Sequence, residues 1–476
     1  MFSFSVKGTY NILLNRLTLC DKLALDTKIN DKMIKMNSDC YLGFLSNTEP
    51  TEAFAIKSNN RQKHLYVVGK TGMGKTTLLS NMILQDIYNG QGVCLIEPHG
   101  DFSEYILDRI PKHRQQDVIY FDPADTDFPI GLNILEAQNS EAPFLISSTL
   151  LSAFNKIWAG TWSSRMEYIL ANTLLTLLES DGQNLLGVIK LLTDENYRKI
   201  ITSKLQDPLL KNFWDLEFAK FNERYRQEAI SPILNKIGQF FANPLIRNIL
   251  GQTKSTINLR QIMDEGKILI CNLSKGKLGD DSSNLLGALL ISKLQITTMS
   301  RVDEPESSRR NFFVYVDEFQ NFTSDSFASI LSEARKYRLN LTLAHQYIAQ
   351  LNENGTTKVK NAIFGNVGNL VSFRMGAEDS EFISRELGGR IDPKKLLNLK
   401  QGQIAVKLGD DIDYPEPFVA YSLPPLYDKL AGQKDTVISQ SRHKYGTIRR
   451  QVDAQIAAYL EPAPDPKKKT PKKLLE

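Results

Sequence analysis

Apolar residues along the chain follow two alternating patterns from about residue 61 onward. Short continuous apolar runs, which are typical of buried parallel strands, occur at His64–Val68, Gly92–Ile96, Asp117–Tyr120, Lys267–Leu273, Phe312–Val316 and Asn340–Ala344. Between several of them lie segments with an apolar residue every three or four positions, which is the spacing of a helix. Strands that alternate with helices predict a mainly parallel sheet with helices on both faces.

Residues 142–261 interrupt this alternation, because strand-like runs vanish there and helical spacing dominates. We therefore predict an α/β domain made of residues 61–141 and 262–425, split by an inserted all-α domain at 142–261. Residues 1–60 are predicted to be a lead-in with irregular parts. Residues 426–476 are predicted to form a helix and a disordered basic tail, whose lysines within Lys467–Lys473 could contact polyanions or be merely solvated.

Composition narrows the class of protein without identifying it. With 476 residues, 42% hydrophobic residues and a net charge of +4, the chain is predicted to be globular, and any DNA contact must come from a local basic patch. The cysteines are scattered, so we expect free thiols. The sequence shows neither a signal peptide nor an apolar run long enough to cross a bilayer. We therefore expect a cytoplasmic protein, with a peripheral position at the inner face of the membrane as the alternative.

A glycine-rich segment joins the first predicted strand to the helix that follows it. It matches GxxxxGK[ST] at every fixed position and is followed by one more threonine; its residues are Gly69, Lys70, Thr71, Gly72, Met73, Gly74, Lys75, Thr76 and Thr77. Glycines let backbone N–H groups approach phosphate oxygens, and the helix N-terminus adds positive potential. We expect Lys75 to reach the β and γ phosphates of ATP and Thr76 to bind Mg²⁺. The alternative, a glycine turn that matches by chance, would not require this strand–loop–helix context.

Two carboxylates follow the apolar run Phe312–Val316, at the tip of a predicted core strand. Asp317 takes the position of an acid that binds Mg²⁺, and Glu318 that of a base polarising the attacking water. The alternative is a pair of acids that caps a strand end.

Two further loops carry candidate residues. Glu97, His99 and Asp101 could suggest a metal site, but three mixed ligands without a cysteine are a weak zinc signal, and we favour loop hydrogen bonding or a supporting role near Mg²⁺. Lys275 and Lys277 lie on a predicted glycine-containing turn after a core strand. They are candidates for DNA contact, with a solvated turn as the alternative.

Four segments closely resemble the cytoplasmic ATPase domain of type IV secretion coupling proteins of the TraG/TraD and VirD families. They are HLYVVGKTGMGKTTLL, LIEPHGDF, ICNLSKGKLGDD and VYVDEFQNFTSDSFASILSEARKYRLNLTLAHQYIAQL. The resemblance runs from about residue 60 to 425 and extends more distantly to the HerA and FtsK motors. Such proteins are RecA-like P-loop ATPases that form hexameric rings and drive DNA through a central channel. The resemblance therefore implies a RecA-like fold, ATP hydrolysis and DNA as a partner.

Two catalytic residues are carried over from this resemblance. The family's arginine finger falls on Arg335 and its glutamine sensor on Gln346. A helix is predicted near Ser326–Tyr337. Its apolar stripe of Phe327, Ile330, Leu331 and Ala334 leaves Arg335 off the packed face, available to a neighbouring subunit, although a solvated arginine is the alternative. Gln346 follows a strand at the predicted phosphate edge, where a hydrogen-bonded loop residue is the alternative. Arg374 is a second candidate for reaching across to a neighbour.

We expect a DNA-translocating motor that works as a homo-hexameric ring, with secretion-channel or relaxase proteins as further partners. Coupling proteins of this family commonly carry N-terminal transmembrane helices, and this sequence shows none. Because of that difference, a HerA-like cytosolic motor that acts with a nuclease becomes a better-supported alternative. A nucleotide-switched adaptor that delivers cargo protein and a protein unfoldase are two more functions that a P-loop ATPase could perform.

Overall fold

The structure, a computed structural model, describes residues 39–46, 52–137, 142–158, 160–323, 325–351 and 357–463. Within these ranges eleven strands join in one sheet, in the spatial order β2-β1-β11-β10-β9-β3-β8-β7-β4-β6-β5. The strands are β1 (Cys40–Phe44), β2 (Ala53–Ile56), β3 (Leu65–Val68), β4 (Gly92–Glu97), β5 (Val118–Phe121), β6 (Ile268–Asn272), β7 (Phe312–Val316), β8 (Leu339–His345), β9 (Asn369–Ser372), β10 (Gln403–Lys407) and β11 (Phe418–Ser422).

The sheet has a parallel part and an antiparallel part. Strands β9, β3, β8, β7, β4, β6 and β5 are parallel neighbours, whereas β10, β11, β1 and β2 continue the sheet as antiparallel pairs. Every residue of β7 is buried, as expected for a strand covered on both faces. The six strands predicted from the sequence are all in the parallel part.

Helices connect these strands and cover both faces of the sheet. They are α1 (Ser58–Arg61), α2 (Lys75–Tyr88), α3 (Asp101–Leu107), α4 (Pro143–Ile157), α5 (Ser164–Leu178), α6 (Leu186–Thr193), α7 (Glu195–Thr202), α8 (Pro208–Asn212), α9 (Glu223–Ala242), α10 (Pro244–Leu250), α11 (Leu259–Glu265), α12 (Lys275–Leu278), α13 (Asp280–Met299), α14 (Asp325–Glu333), α15 (Lys358–Asn366), α16 (Ala377–Glu386), α17 (Pro393–Leu397), α18 (Lys434–Tyr445) and α19 (Arg449–Leu460).

Helices α4 to α11 form a helical region between β5 and β6. Side chains at their N-termini accept hydrogen bonds from backbone amides and so define where helices begin: Ser163 caps α5, Asp194 caps α7 and Asn222 caps α9. The apolar sides of these helices belong to the same core cluster as one face of the sheet, including Leu174 and Ile233. Helices α2, α3 and α18 contribute to a second cluster on the other face.

The structure differs from the sequence prediction mainly at the antiparallel part of the sheet. The described residues of the N-terminal segment are not an irregular lead-in: Cys40–Phe44 pairs with β11, and Ala53–Ile56 pairs with β1. Strands β9, β10 and β11 were also not predicted. The helix expected over Ser326–Tyr337 ends at Glu333 and continues as a 3₁₀ turn over Ala334–Tyr337. Residues 1–38 and the basic tail from 464 onward lie outside the described residues.

The structure also describes three of the cysteines and the length and hydropathy of the helices. Cys40, Cys94 and Cys271 are free and buried, and Cys20 lies outside the described residues. Among the helices in the described ranges, none is both long enough and apolar enough to cross a bilayer.

A buried ion pair joins α1, α2 and β7. Arg61 donates two hydrogen bonds to the Asp86 carboxylate, at 2.5 and 2.8 Å, and the two side chains are 2% and 4% exposed. The Tyr315 hydroxyl donates to Asp86 at 2.6 Å, which completes the network. Because each charge is taken out of water, either one becomes costly if its partner is removed.

We predict that Asp86→Ala lowers the free energy of unfolding by about 3–5 kcal/mol, since it leaves the Arg61 guanidinium buried and unpaired. Urea unfolding followed by far-UV circular dichroism measures the loss. The matched control is Asp453→Ala, which removes the half-exposed pair of Asp453 with Arg449 and should change stability by less than about 1 kcal/mol. Equal effects of the two substitutions would contradict the prediction.

Candidate active site

The glycine-rich segment lies between β3 and α2, as predicted. Gly74 is the N-cap of α2 at φ 118°, so the helix begins at Lys75. A Cβ atom placed on Gly69 would lie 2.5 Å from the Cβ of Phe373, whose backbone N–H donates to the Val68 carbonyl. The loop therefore needs glycine both for its backbone conformation and for its close packing beside β9. Its backbone N–H groups and the N-terminus of the 14-residue helix α2 can form an anion site.

The Lys75 side chain folds back over this loop. Lys75 is 8% exposed, and its Nζ donates to the carbonyl oxygens of Gly69 and Lys70. Burial lowers the pKa of Lys75, while the nearby Glu318 and Asp317 carboxylates oppose that shift. The ammonium group is thus bonded to its own loop, close enough to the predicted Mg²⁺ ligand Asp317 and the predicted base Glu318 for their charges to affect its pKa.

The two acids and the phosphate loop lie at one edge of the sheet. Strands β3 and β7 both pair in parallel with β8, so their carboxyl ends point the same way. Asp317 directly follows β7, is 8% exposed, and accepts a hydrogen bond from the Glu318 N–H at 3.0 Å. Burial, followed by the charge of Glu318, raises the pKa of Asp317 to about 7. Ligands commonly bind at such carboxyl ends in α/β sheets.

Glu318 adopts an unusual backbone conformation and is held by two amides. Its φ is +47°, in the left-handed region that residues other than glycine rarely occupy. Its Oε1 accepts from Gln346 Nε2 at 2.9 Å, and its Oε2 accepts from Gln320 Nε2 at 2.8 Å. Backbone strain of this kind is characteristic of functional sites. Gln346 directly follows β8, so the structure brings the predicted base and the predicted sensor into contact.

Glu97 organises a loop. The carboxylate is fully buried, and it accepts hydrogen bonds from the backbone N–H groups of His99, Gly100 and Ser103 and from the Ser103 hydroxyl. This agrees with the loop hydrogen bonding favoured from the sequence. Within the described ranges, no group of three or more His, Cys, Asp or Glu side chains is arranged to hold a metal ion.

Arg335 lies at the opposite edge of the sheet from its own phosphate loop. It is exposed, in the 3₁₀ turn that precedes β8, and the apolar residues Phe327, Ile330 and Leu331 of α14 are buried. Strand β8 has seven residues and spans roughly 20 Å, with Gln346 at its far end. In the part of the chain that the structure describes, the Arg335 guanidinium makes no hydrogen bond or ion pair. It therefore cannot reach the phosphate site of its own chain.

Arg374 lies just after β9 and is half-buried. Its carbonyl oxygen accepts from the Lys70 N–H at 2.9 Å, so its main chain is bonded to the phosphate loop of the same chain. Its role as a second arginine that reaches across to a neighbouring subunit stays a prediction.

The two candidate DNA-contacting lysines lie on a helical turn, not on an open loop. Helix α12 begins at Lys275, just after β6. Lys275 Nζ donates to Asn321 Oδ1 at 2.9 Å and lies 3.6 Å from Asp280. Lys277 Nζ lies 3.9 Å from Asp122. Both lysines already have acidic or polar neighbours, and they lie at the same edge of the sheet as Asp317.

Sequence reasoning did not identify Gln320, Asn321 or Phe373 as site residues. Gln320 and Asn321 stand directly after Glu318 in the segment DEFQNF, so their proximity to the base was a usable signal. Phe373 packs against the phosphate loop only because β9 lies beside β3, a long-range pairing that no local pattern indicates.

A protein family and several solved structures match this chain. A family model described as the type IV secretion-system coupling protein DNA-binding domain matches residues 52–392. The bacterial conjugative coupling protein TrwB, in an unbound form, has a TM-score of 0.55 at 16% identity, covering 77% of this chain and 86% of that one. TrwB in complex with ADP and Mg²⁺ has a TM-score of 0.53 at 15% identity, covering 78% and 89%.

VirB4 of Thermoanaerobacter pseudethanolicus has a TM-score of 0.56 at 13% identity, covering 83% of this chain and 99% of that one. At these identities the likeness to solved structures establishes the fold, which confirms the predicted RecA-like α/β class. No curated protein matches the sequence.

The raised pKa of Asp317 predicts a pH-dependent stability. The folded chain binds the Asp317 proton more tightly than the unfolded chain, whose usual pKa is 3.8. The contribution of this proton to the free energy of unfolding is fully present below pH 3.8 and is lost as the pH rises through about 7. We expect Asp317→Asn, which stays neutral, to gain thermal stability relative to wild type between pH 5 and pH 8.

Melting temperatures of both proteins without nucleotide, measured across this range, test the prediction. Asp281→Asn, at an exposed acid in the first turn of α13, is the control and should follow wild type. A constant difference between Asp317→Asn and wild type would show that Asp317 does not titrate in this range.

Proposed function

The chain belongs to the type IV secretion-system coupling protein family, and from this premise we propose that it is an ATP-driven DNA translocase. The observation that carries the proposal is the meeting of Lys75, Asp317 and Glu318 at one edge of the sheet. A phosphate loop opposite two carboxylates is the arrangement that P-loop enzymes use to hydrolyse nucleoside triphosphates.

Residues at this edge have the chemistry needed to hold a nucleotide with its metal ion. Thr76 and Asp317 offer oxygen ligands, which Mg²⁺ prefers. The raised pKa of Asp317 reflects burial beside the negative charge of Glu318, which a cation would relieve. Bound Mg²⁺ would neutralise charge on the phosphate oxygens. TrwB, whose solved complex contains ADP and Mg²⁺, has the same fold.

Glu318 serves as the base in this proposal, and Gln346 reports on the γ phosphate. Asp317 is the acid assigned to Mg²⁺, and Glu318 follows it directly in the chain. A base must lie within hydrogen-bond reach of the attacking water. Gln346 contacts Glu318 directly, so movement of its amide toward a γ phosphate would change the hydrogen bonds of the base. Arg374, whose main chain is bonded to the phosphate loop, stays the second candidate for reaching across to a neighbouring subunit.

The position of Arg335 supports assembly into a ring. Since Arg335 is exposed at the edge opposite its own phosphate loop, it can act only on a nucleotide bound by another subunit. A closed homo-hexamer would supply such an arginine to every site. DNA would then pass near α12, where Lys275 and Lys277 can contact phosphates once they exchange their present acidic neighbours. Secretion-channel proteins, a relaxase or a nuclease would be further partners.

The proposed function predicts that DNA stimulates ATP turnover. ATPase rates are measured in parallel without DNA, with single-stranded DNA, with duplex DNA and with denatured protein, and we expect only DNA to raise the rate. Lys75→Ala should abolish ATP binding, whereas Glu318→Gln should bind ATP and lose about 10²–10⁴-fold in turnover. If denatured protein stimulates turnover, the translocase is refuted and an unfoldase is favoured. If no polymer stimulates turnover, the translocase is refuted and a cargo adaptor is favoured.

The proposed ring predicts that Arg335 acts in trans. Arg335→Ala should lower turnover by about 10³-fold or more without much loss of ATP affinity, because the cation acts on the transition state. Mixing it with Lys75→Ala subunits should restore activity, since an intact phosphate loop then meets an intact arginine. Lys336→Ala, at the neighbouring exposed cation, is the control. Full turnover of Arg335→Ala, or no recovery on mixing, would rule out this role.

A further inference from the structure

The hydrogen bonds around Glu318 leave its carboxylate with both oxygens engaged. The 3₁₀ turn Phe319–Asn321 folds the Gln320 side chain back so that its Nε2 donates to Oε2, while Gln346 donates to Oε1. A general base must offer an oxygen to the water it activates. In the proposed reaction Gln346 would turn toward the γ phosphate, which leaves Gln320 as the group that competes with water for the base.

Among the described residues, the side-chain amide of Gln320 forms a hydrogen bond through its nitrogen but not through its oxygen. It is 8% exposed, and its Oε1 has no hydrogen-bond partner among the described residues. The amide cannot simply be turned over, because its oxygen would then face the Glu318 carboxylate. A buried amide oxygen without a partner is costly, and such groups in native proteins call for a functional explanation. Release of Gln320 from Glu318 would therefore break one side-chain hydrogen bond, that of Nε2, and none of Oε1.

The main chain of Gln320 is held by the helical region. Lys156, near the end of α4, donates from Nζ to the Gln320 carbonyl oxygen at 3.1 Å and to Thr323 Oγ1 at 2.9 Å. The neighbouring Phe154 and Trp158 are buried in the core of the helical region. A displacement of α4 would thus be transmitted directly to the turn that carries Gln320.

We propose that Gln320 is a positioning residue that keeps the Glu318 carboxylate from the attacking water, and that a load on the helical region releases it through Lys156. The inference rests on the proposed ATPase function and specifies how its basal rate is kept low. The side chain of Gln320 acts through Glu318 and need not touch the nucleotide.

The test uses Gln320→Met, which keeps the length of the side chain and removes its amide. We expect kcat without DNA to rise about threefold or more at unchanged KM for ATP, and the ratio of DNA-stimulated to basal turnover to fall. Lys156→Met should shift both quantities in the same direction. The double variant should not exceed Gln320→Met, because both substitutions act on one contact.

The control is Gln261→Met, which removes a glutamine that donates to a glutamate, Glu265, on an exposed part of α11. It should leave both rates unchanged. Basal and stimulated rates of Gln320→Met that fall together, or that do not change, would overturn the inference, as would Lys156→Met with an unaltered basal rate. Lys156 is only partly buried, so this second variant decides the matter if Gln320→Met does not fold.

The outcomes also separate the inference from the proposed function. A wild-type protein that DNA does not stimulate, combined with a raised basal rate in Gln320→Met, would overturn DNA translocation alone. A stimulated wild type with an unchanged basal rate in Gln320→Met would overturn only the role of Gln320.

Discussion

The site depends on three charged side chains that are buried together at the carboxyl ends of parallel strands. Lys75, Asp317 and Glu318 each expose less than a tenth of their surface, and an isolated charge in such a place would be strongly destabilising. Burial raises the pKa of Asp317 and the Lys75 ammonium opposes that rise, while burial lowers the pKa of Lys75 and the two carboxylates oppose that fall, so each charge partly compensates the others. One cation against two acids still leaves a negative excess, which suits a site that takes up a metal ion.

The residues at the two ends of strand β8 have different proposed roles. Gln346 follows its carboxyl end and contacts Glu318, whereas Arg335 precedes its amino end and faces solvent. The strand is buried along its whole length and pairs with both β3 and β7. In the proposed ring, the residue that reports on one nucleotide and the residue that serves the next are therefore joined by one rigid element.

How much could be predicted from the sequence follows from the range of the interactions. The run Phe312–Val316 is apolar throughout because both its faces are covered, so local pattern was sufficient to predict β7. Strands such as Cys40–Phe44 are short, and this one joins the rest of the sheet through β11, a partner distant in sequence. The loop ending at Lys75 and Thr76 was predictable because its chemistry is contiguous. The sequence places Gln320 close to Glu318, but the hydrogen bond between them forms beside a left-handed backbone at Glu318, which the residue type does not suggest.

The packing of the helical region limits the way in which a load could act on the site. Its apolar side chains form one continuous core with a face of the sheet, and close-packed interiors resist large sliding motions. The C-terminal helix α19 adds a further contact, because Lys190 of α6 donates to the Tyr459 carbonyl oxygen. A rigid-body swing of the helical region would break all of these contacts together. Helix α4 is part of the same core through Ile146, Leu150 and Phe154, so a shift that acts on the site through Lys156 must be small.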